Sequence, residues 1–158
     1  MNAQTNLGKD IALTLLDNRL LRIYAPAETT RRTVEGGRGL TIRDFDTLEG
    51  RGNLGQALVM RLLTPQGELA PLGHPAYGSR LHEIIGDRNT DTIRNLAKLH
   101  VLASLEAERR IDKVTSVAVT PHPSLRDVIR IAIEALPVGA DVPLAISFTL
   151  ELDTGGQG

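Results

Sequence analysis

The chain contains no cysteine and no tryptophan, and it has only two phenylalanines and two tyrosines. Without cysteine, disulfide bonds, thiolate catalysis and cysteine-ligated zinc are all excluded. With so few aromatic rings, a hydrophobic core has to be built from Leu, Ile, Val and Ala. The lack of cysteine also agrees with synthesis in the cytoplasm, where disulfides are rare.

No charge of one sign is in excess. The chain has 18 Lys and Arg against 19 Asp and Glu, which gives a formal net charge of −1. Nucleic-acid binding that is independent of sequence needs a clear basic excess, so we expect no nucleic-acid partner. No run approaches the roughly 20 apolar residues of a membrane span, and no apolar signal segment is visible at the N-terminus. We therefore expect no membrane insertion.

The N-terminal third is predicted to be a hairpin followed by a loop. Residues 11–25 hold two apolar runs around Asp17-Asn18, a pair that tolerates positive φ, which predicts a β-hairpin with its turn there. Residues 26–39 are polar and predict a loop, and residues 40–45 are compatible with a short strand. Acidic residues alternate with the many arginines of this region, which favours a solvated or partner-facing surface; these arginines are Arg19, Arg22, Arg31, Arg32, Arg38, Arg43 and Arg51.

Three helices are predicted in the middle of the chain. Asn53 is a suitable N-cap for a first helix that runs to Leu63. A shorter helix spans residues 79–85, and Gly86 closes it as a C-terminal cap. A longer helix begins at cap candidates in residues 89–91 and runs to about Glu106. We expect its apolar residues to form one wide buried face, made of Ile93, Leu96, Ala97, Leu99, His100, Val101, Leu102, Ala103 and Leu105.

The C-terminal part changes to the alternating pattern of β-strands. Residues 114–120, 128–136 and 145–152 alternate and are joined by proline-containing turns, which predicts an antiparallel meander. The element order predicts an α+β fold, with the helices packed on a small antiparallel C-terminal sheet and with an N-terminal β-hairpin extension. We expect an extension over residues 1–47, a main domain over residues 48–152 and a disordered tail over residues 153–158.

The sequence offers no recognisable set of catalytic, cofactor-binding or metal-ligating residues. Residues 50–55 match GxGxxG, but no buried parallel strand precedes them, which favours a loop and a helix cap. The four histidines lack the spacing of a zinc site, and His100 is expected to be a satisfied core or edge residue. Spacing does not select Glu68, Glu83 or Asp87 as a glycosidase carboxylate pair.

Two stretches have alternative interpretations that the residues alone leave open. Glu108-Arg109-Arg110 is either a charged helix terminus, favourable beside the helix dipole, or an ion-pair anchor for a partner. The last strand, residues 143–152, is either an edge that can pair with a strand of another chain, or an edge blunted by Glu151 and Asp153. For the last strand, the residues slightly favour the blunted edge.

The chain resembles the small baseplate wedge family of contractile phage tails and related injection systems, the gene-twenty-five-product and W proteins. The resemblance covers about residues 48–152 and rests on the order and spacing of several short motifs. These are Asn53-Leu54-Gly55-Gln56-Ala57-Leu58, Leu62-Leu63-Thr64-Pro65 with Gly67-Glu68, His74-Pro75 with Tyr77-Gly78-Ser79-Arg80-Leu81, and Glu108-Arg109-Arg110-Ile111. The family often has Glu-Pro-Arg where this chain has Glu108-Arg109-Arg110, so the central proline is missing.

The resemblance implies a structural protein of the baseplate rather than an enzyme, without cofactor or metal. Such proteins form a sixfold ring around the tube. Their helices join a bundle with larger wedge subunits, and their sheet templates the first sheath ring by strand exchange. The implied partners are therefore wedge subunits and the sheath protein, with hub and tube proteins as further candidates. We expect the protein to be made in the cytoplasm and built into a phage virion or injection particle.

The resemblance also assigns residues to these contacts. Arg80, Glu108 and Arg110 carry over as wedge-binding residues. The edge strand facing the sheath comprises Ala145, Ile146, Ser147, Phe148, Thr149, Leu150, Glu151 and Leu152. Some family members have been called lysozymes, so a small cell-wall hydrolase that acts during tail penetration is the alternative function.

Overall fold

The computed structural model describes residues 8–18, 21–26, 28–35, 38–45 and 47–152, and the side chains of residues 8–13 and 49–152. Its strands are β1 (Lys9–Ile11), β2 (Leu13–Asn18), β3 (Leu21–Pro26), β4 (Glu28–Glu35), β5 (Arg38–Phe45), β6 (Thr47–Glu49), β7 (Ile111–Pro121), β8 (Val128–Pro137) and β9 (Leu144–Glu151). Its helices are α1 (Gly50–Leu63) and α2 (Asp91–Glu106), with 3-10 turns at Ala70–Leu72 and Leu81–Ile84. The chain divides into two compact units, residues 1–56 and 57–158.

The first unit contains three antiparallel strand pairs, β1 with β6, β2 with β3 and β4 with β5. The pair β2–β3 confirms the predicted hairpin, but the predicted turn position is wrong. Asp17 and Asn18 belong to β2 and pair with Arg22 and Leu21. Backbone pairing with β3 continues through Asn18, so the turn does not lie at Asp17-Asn18. Arg19, one of the predicted surface arginines, lies outside the described residues.

The polar stretch after this hairpin was predicted to be a loop, and that prediction is wrong. Residues 28–35 form β4, which pairs along its whole length with β5. Three threonines and a valine explain the difference, because β-branched residues favour extended backbone even in a polar stretch. The short strand predicted at residues 40–45 is confirmed within β5. The glycines at positions 36 and 37 and the tail over residues 153–158 lie outside the described residues.

Helix α1 begins three residues before the predicted N-cap. It starts at Gly50, whose φ of 61° only glycine adopts readily, and whose N–H donates to the carbonyl of Gly8 at 3.3 Å. Asn53 lies in the first turn and is 5% exposed, so it is not the N-cap. The side chain of Gln56 donates to the carbonyl of Ile11 at 2.9 Å and accepts from the N–H of Leu13 at 2.8 Å.

The second unit contains the predicted meander, with strand order β7-β8-β9. The alternation predicted for β8 is confirmed. Ile129, Ile131 and Ile133 are at most 1% exposed, whereas Arg130 and Glu134 lie on the exposed face. Together with two helices, this antiparallel sheet confirms the α+β class. Neither helix in the described part of the chain combines the length and apolar character that a bilayer crossing requires.

Helix α2 matches its predicted bounds and packs against β7 and the 3-10 turn Leu81–Ile84. The side chain of Thr90 caps it by accepting from the N–H of Ile93 at 3.3 Å. The predicted buried face is only partly correct. Ala97, Val101 and Leu105 are buried, but Leu99 is 62% exposed. One helix face of about 100° can be covered by a neighbouring layer, and Leu99 lies outside it.

The end of the sheet is held by the residue that follows β9. The side chain of Leu152 is fully buried. Its N–H donates to the carbonyl of Asp127 at 2.8 Å, and its carbonyl accepts from the N–H of Gly86 at 2.6 Å. Both backbone groups of Leu152 are therefore used inside the unit, and they link the sheet to the chain before α2.

Candidate functional site

Residues 77–81, Tyr-Gly-Ser-Arg-Leu, form a segment that approaches the C-terminal end of α1 closely. The N–H of Ser79 donates to the carbonyl of Thr64, and the N–H of Gln66 donates to the carbonyl of Ser79, both at 2.9 Å. Gly78 has a φ of 106°, and a Cβ at this position would lie 2.5 Å from the carbonyl oxygen of Thr64. Only glycine therefore fits between these two stretches of backbone.

Side-chain hydrogen bonds hold the same segment against both helices. The hydroxyl of Ser79 donates to the carbonyl of Leu62 in α1 and accepts from the N–H of Leu81. The hydroxyl of Ser104 in α2 donates to the carbonyl of Gly78 at 2.9 Å. The predicted helix over residues 79–85 is thus a shorter 3-10 turn, because Ser79 is bound to α1 instead of capping a helix.

A buried ion cluster lies beside this segment. Glu108 is 8% exposed and accepts from Arg110 through both carboxylate oxygens, at 2.8 and 3.1 Å. The Nε of Arg61, from α1, lies 3.4 Å from Oε2 of the same carboxylate. The guanidinium of Arg61 also lies 4.6 Å from the ring centroid of Tyr77, a cation–π contact. Two arginines therefore share one carboxylate, which links α1 to the turn between α2 and β7.

These arginines keep Glu108 ionised. Burial opposes its ionisation, but the hydrogen bonds and charge of Arg110, with the charge of Arg61, outweigh burial and lower the pKa of Glu108 below its usual value. The hydrogen bonds to Glu108 raise the pKa of Arg110. The sequence left two interpretations of Glu108-Arg109-Arg110 open, a charged helix terminus and an ion-pair anchor for a partner. The structure shows a third arrangement, in which the Glu108 and Arg110 side chains pair with each other.

The three predicted wedge-binding residues are separated by the structure. Glu108 and Arg110 are together, and the Arg110 side chain is 31% exposed. Arg80 pairs instead with Glu83, through bidentate contacts of 2.7 and 2.8 Å. The hydrogen bonds from Arg80 lower the pKa of Glu83. With the Arg80 side chain 58% exposed, this pair is on the surface, whereas Glu108 is not. The prediction that all three bind a wedge subunit stays a prediction.

The predicted sheath-facing residues lie at an edge of the described sheet. Residues 145–151 belong to β9, which pairs with β8 on one side and with no described strand on the other. Leu152 differs from the other seven residues because it follows the strand and its backbone groups bond inside the unit. Strand exchange at this edge stays a prediction for residues 145–151.

The described residues contain no group of three or more His, Asp and Glu side chains that could hold a metal ion. The glycines of the GxGxxG match fall within α1 and follow β6, which is an antiparallel strand, so the context of a dinucleotide site is lacking. His100 is buried as expected, but it is not satisfied. Its Nε2 has no hydrogen-bond partner among the described residues.

Sequence reasoning missed Arg61 and Tyr77. Arg61 lies on the apolar stripe of α1, one turn from Leu58, and a charged residue on such a stripe indicates a buried partner. That partner, Glu108, is 47 positions along the chain, and no local pattern connects the two residues.

No protein-family model matches the sequence, and no curated protein matches it. Among solved structures, the chain is similar to a crystal structure of a Geobacter sulfurreducens protein provisionally described as a tail lysozyme. The TM-score is 0.54 and the sequence identity 21%, over 62% of this chain and 86% of that chain. At this identity the similarity establishes a shared fold.

The close approach at Gly78 can be tested by replacing Gly78 with alanine. Gly73 is the matched control, because it also has a positive φ, of 84°, but has no atom within 4 Å of a Cβ. Gly73→Ala should cost only the backbone strain of about 1–2 kcal/mol. Gly78→Ala should cost clearly more in free energy of unfolding, measured by denaturant titration, because a backbone carbonyl must move. Equal losses for both variants would show that residues 77–81 are not tightly held.

The ion cluster predicts a large effect of Glu108→Gln. This variant leaves Arg61, whose side chain is 12% exposed, as a buried charge without a counter-ion. The expected loss is about 3 kcal/mol of unfolding free energy. Because the pKa of Glu108 is lowered in the folded state, its contribution is complete above pH 4.5 and is lost as the pH falls through the folded-state pKa. The acid dependence below pH 4.5 should therefore be weaker in Glu108→Gln.

Glu83→Gln is the control for this prediction. It removes the exposed partner of Arg80 and should leave the unfolding midpoint at neutral pH unchanged, because exposed ion pairs contribute little. If Glu108→Gln also left the unfolding midpoint unchanged, the ion cluster would not be holding α1 to the turn after α2.

Proposed function

We propose that this chain is a structural subunit of a contractile tail or injection system. In this role it sits in the baseplate, bridges wedge subunits and templates the first sheath ring by strand exchange. The observation that carries the proposal is the outer edge of β9, which no described strand covers, on a fold shared with a protein described as tail-associated. The motifs of residues 53–111 support the same family.

Strand exchange is physically suited to this edge. An edge strand presents a row of N–H and C=O groups that a strand of another chain can extend. The alternating side chains of β9 place Ile146, Phe148 and Leu150 toward the core side, where they are partly buried. The pairing with β8 and the anchoring of Leu152 hold the strand in place, so a partner would meet a preformed template with little ordering cost.

Wedge binding in this proposal uses exposed arginines. Arg80 is on the surface, and Arg110 is partly exposed. Arginine binds carboxylates through two parallel hydrogen bonds, which suits specific contacts between subunits. Glu108 would act indirectly, by orienting Arg110 and neutralising Arg61. The proposed assembly has six copies around the tube, with sheath, wedge, hub and tube proteins as partners and without nucleic acid.

The edge should be tested with the fold intact. Deleting everything after Val142 would remove β9 and the fully buried Leu152, so that variant would confound templating with unfolding. Proline is better suited, because adjacent residues of an antiparallel strand direct their N–H groups alternately toward and away from the neighbouring strand. Of Ser147→Pro and Phe148→Pro, the variant that keeps more thermal stability is the one that blocks only the outer edge.

This variant is co-expressed with the sheath protein of a contractile tail and imaged by electron microscopy. The unsubstituted chain and Ser147→Ala should nucleate rings or tubes of sheath protein, and the stable proline variant should not. Sheath assembly of normal length on the proline variant would exclude templating through β9.

A small cell-wall hydrolase is the second candidate, because the structural neighbour is provisionally described as a tail lysozyme. A glycosidase of the common two-carboxylate type needs an acid with a raised pKa beside a second carboxylate. Arginine lowers the pKa of both Glu83 and Glu108. An open depression on the outer face of the sheet has Glu134 as the one carboxylate among its lining residues. These observations make the hydrolase the weaker candidate.

Peptidoglycan clearing by the purified protein tests the hydrolase. We expect no clearing at high protein concentration. Clearing that is lost in Glu68→Gln, Glu83→Gln or Asp87→Asn would support the enzyme and contradict a purely structural role.

A further inference from the structure

His100 has a buried ring nitrogen for which the described part of the chain offers no hydrogen-bond partner. It lies in the middle of α2 and is 8% exposed. Its Nε2 is buried without a partner among the described residues. Buried polar atoms are nearly always hydrogen-bonded, so an exception of this kind needs an explanation.

Helix α2 packs against the 3-10 turn Leu81–Ile84, and charges from residues 80–83 act on the His100 ring. The helix residue one turn further on, Ser104, binds the carbonyl of Gly78, so the segment over residues 78–84 is attached to this face of α2. Among the described residues, the charges that act on His100 all come from this segment, namely Arg80, His82 and Glu83. Strand β7, which also packs on α2, adds no charge that acts on the ring.

We propose that His100 makes the attachment of residues 78–84 to α2 sensitive to mild acid. The neutral ring is compatible with this contact. A protonated ring would be a buried cation without an acceptor for its Nε2 proton, and it would face the positive charge of Arg80. Glu83, the nearby carboxylate, is already engaged through both oxygens by Arg80. Protonation therefore loosens the segment and changes how Arg80 is presented at the surface.

The direction of the pH dependence follows from the environment of the ring. Burial and Arg80 lower the pKa of His100 below 6.5, against a smaller opposite effect of Glu83. A ring released from the contact titrates near 6.5. The released state thus binds the proton more readily, and the stability of the contact is complete above pH 6.5 and is lost as the pH falls below it. The pH range in which protonation of His100 weakens the contact therefore lies above the range in which the contribution of Glu108 is lost, which is below pH 4.5.

Hydrogen exchange of the full chain at pH 7.5 and pH 5.5 tests the proposal. After correction for intrinsic rates, opening of residues 79–84 should rise by up to about tenfold at pH 5.5, the limit for a ring that titrates near 6.5 when released. The rise should be absent in His100→Gln, whose side chain is neutral at both pH values. His74→Gln replaces an exposed histidine and should keep the full rise.

An NMR titration of the histidine rings in the unsubstituted protein gives a result even if His100→Gln fails to fold. The proposal expects the ring of His100 to titrate below 6.5. Titration of His100 at or above 6.5 would overturn it. So would an acid-dependent opening that persists in His100→Gln, which would assign the response to His82.

Discussion

The close contact between Gly78 and the carbonyl of Thr64 is the constraint on which the second unit depends. It brings residues 77–81 against the end of α1, and Ser104 attaches the same residues to α2. Because the contact allows no side chain at position 78, the path of the chain here is set by backbone geometry rather than by hydrophobic packing alone. Leu81 and Ile84 then enter the core, at most 2% exposed, from a fixed starting point.

Two ion pairs of the second unit differ in their exposure to solvent. Glu108 is buried and the Arg61 side chain is 12% exposed, and their contact holds α1 to the turn between α2 and β7. Desolvation offsets most of the attraction within such a pair, but removing one partner leaves the other charge uncompensated. Arg80 and Glu83 pair at the surface, where exchange with a partner's carboxylate costs little.

The sheet combines an anchored end with a side beside which the described part of the chain places no strand. Leu152 anchors the chain after β9 through two backbone hydrogen bonds and a buried side chain. The outer side of β9 has no described strand beside it. A sheet edge without a neighbouring strand carries a risk of edge-to-edge aggregation.

The sequence by itself determined the elements whose patterns are local. The period-2 alternation of β8, the bounds of α2 with Thr90 among its three cap candidates, and the α+β order were all predictable, because each depends on residues a few positions apart. Predictions from local composition were wrong where pairing between two strands determined the structure. The threonine-rich polar stretch became β4, and Asp17-Asn18 joined a strand rather than a turn.

Only the tertiary structure decided which side chains meet. It joined Arg61 to Glu108 across 47 positions, left Leu99 exposed on a helix face predicted to be buried, and brought the charges of Arg80 and Glu83 close enough to act on His100. The physical reason is that a periodic pattern specifies which face of an element is apolar, but not which neighbour covers it. Burial, ion pairing and pKa depend on that neighbour, which long-range packing selects.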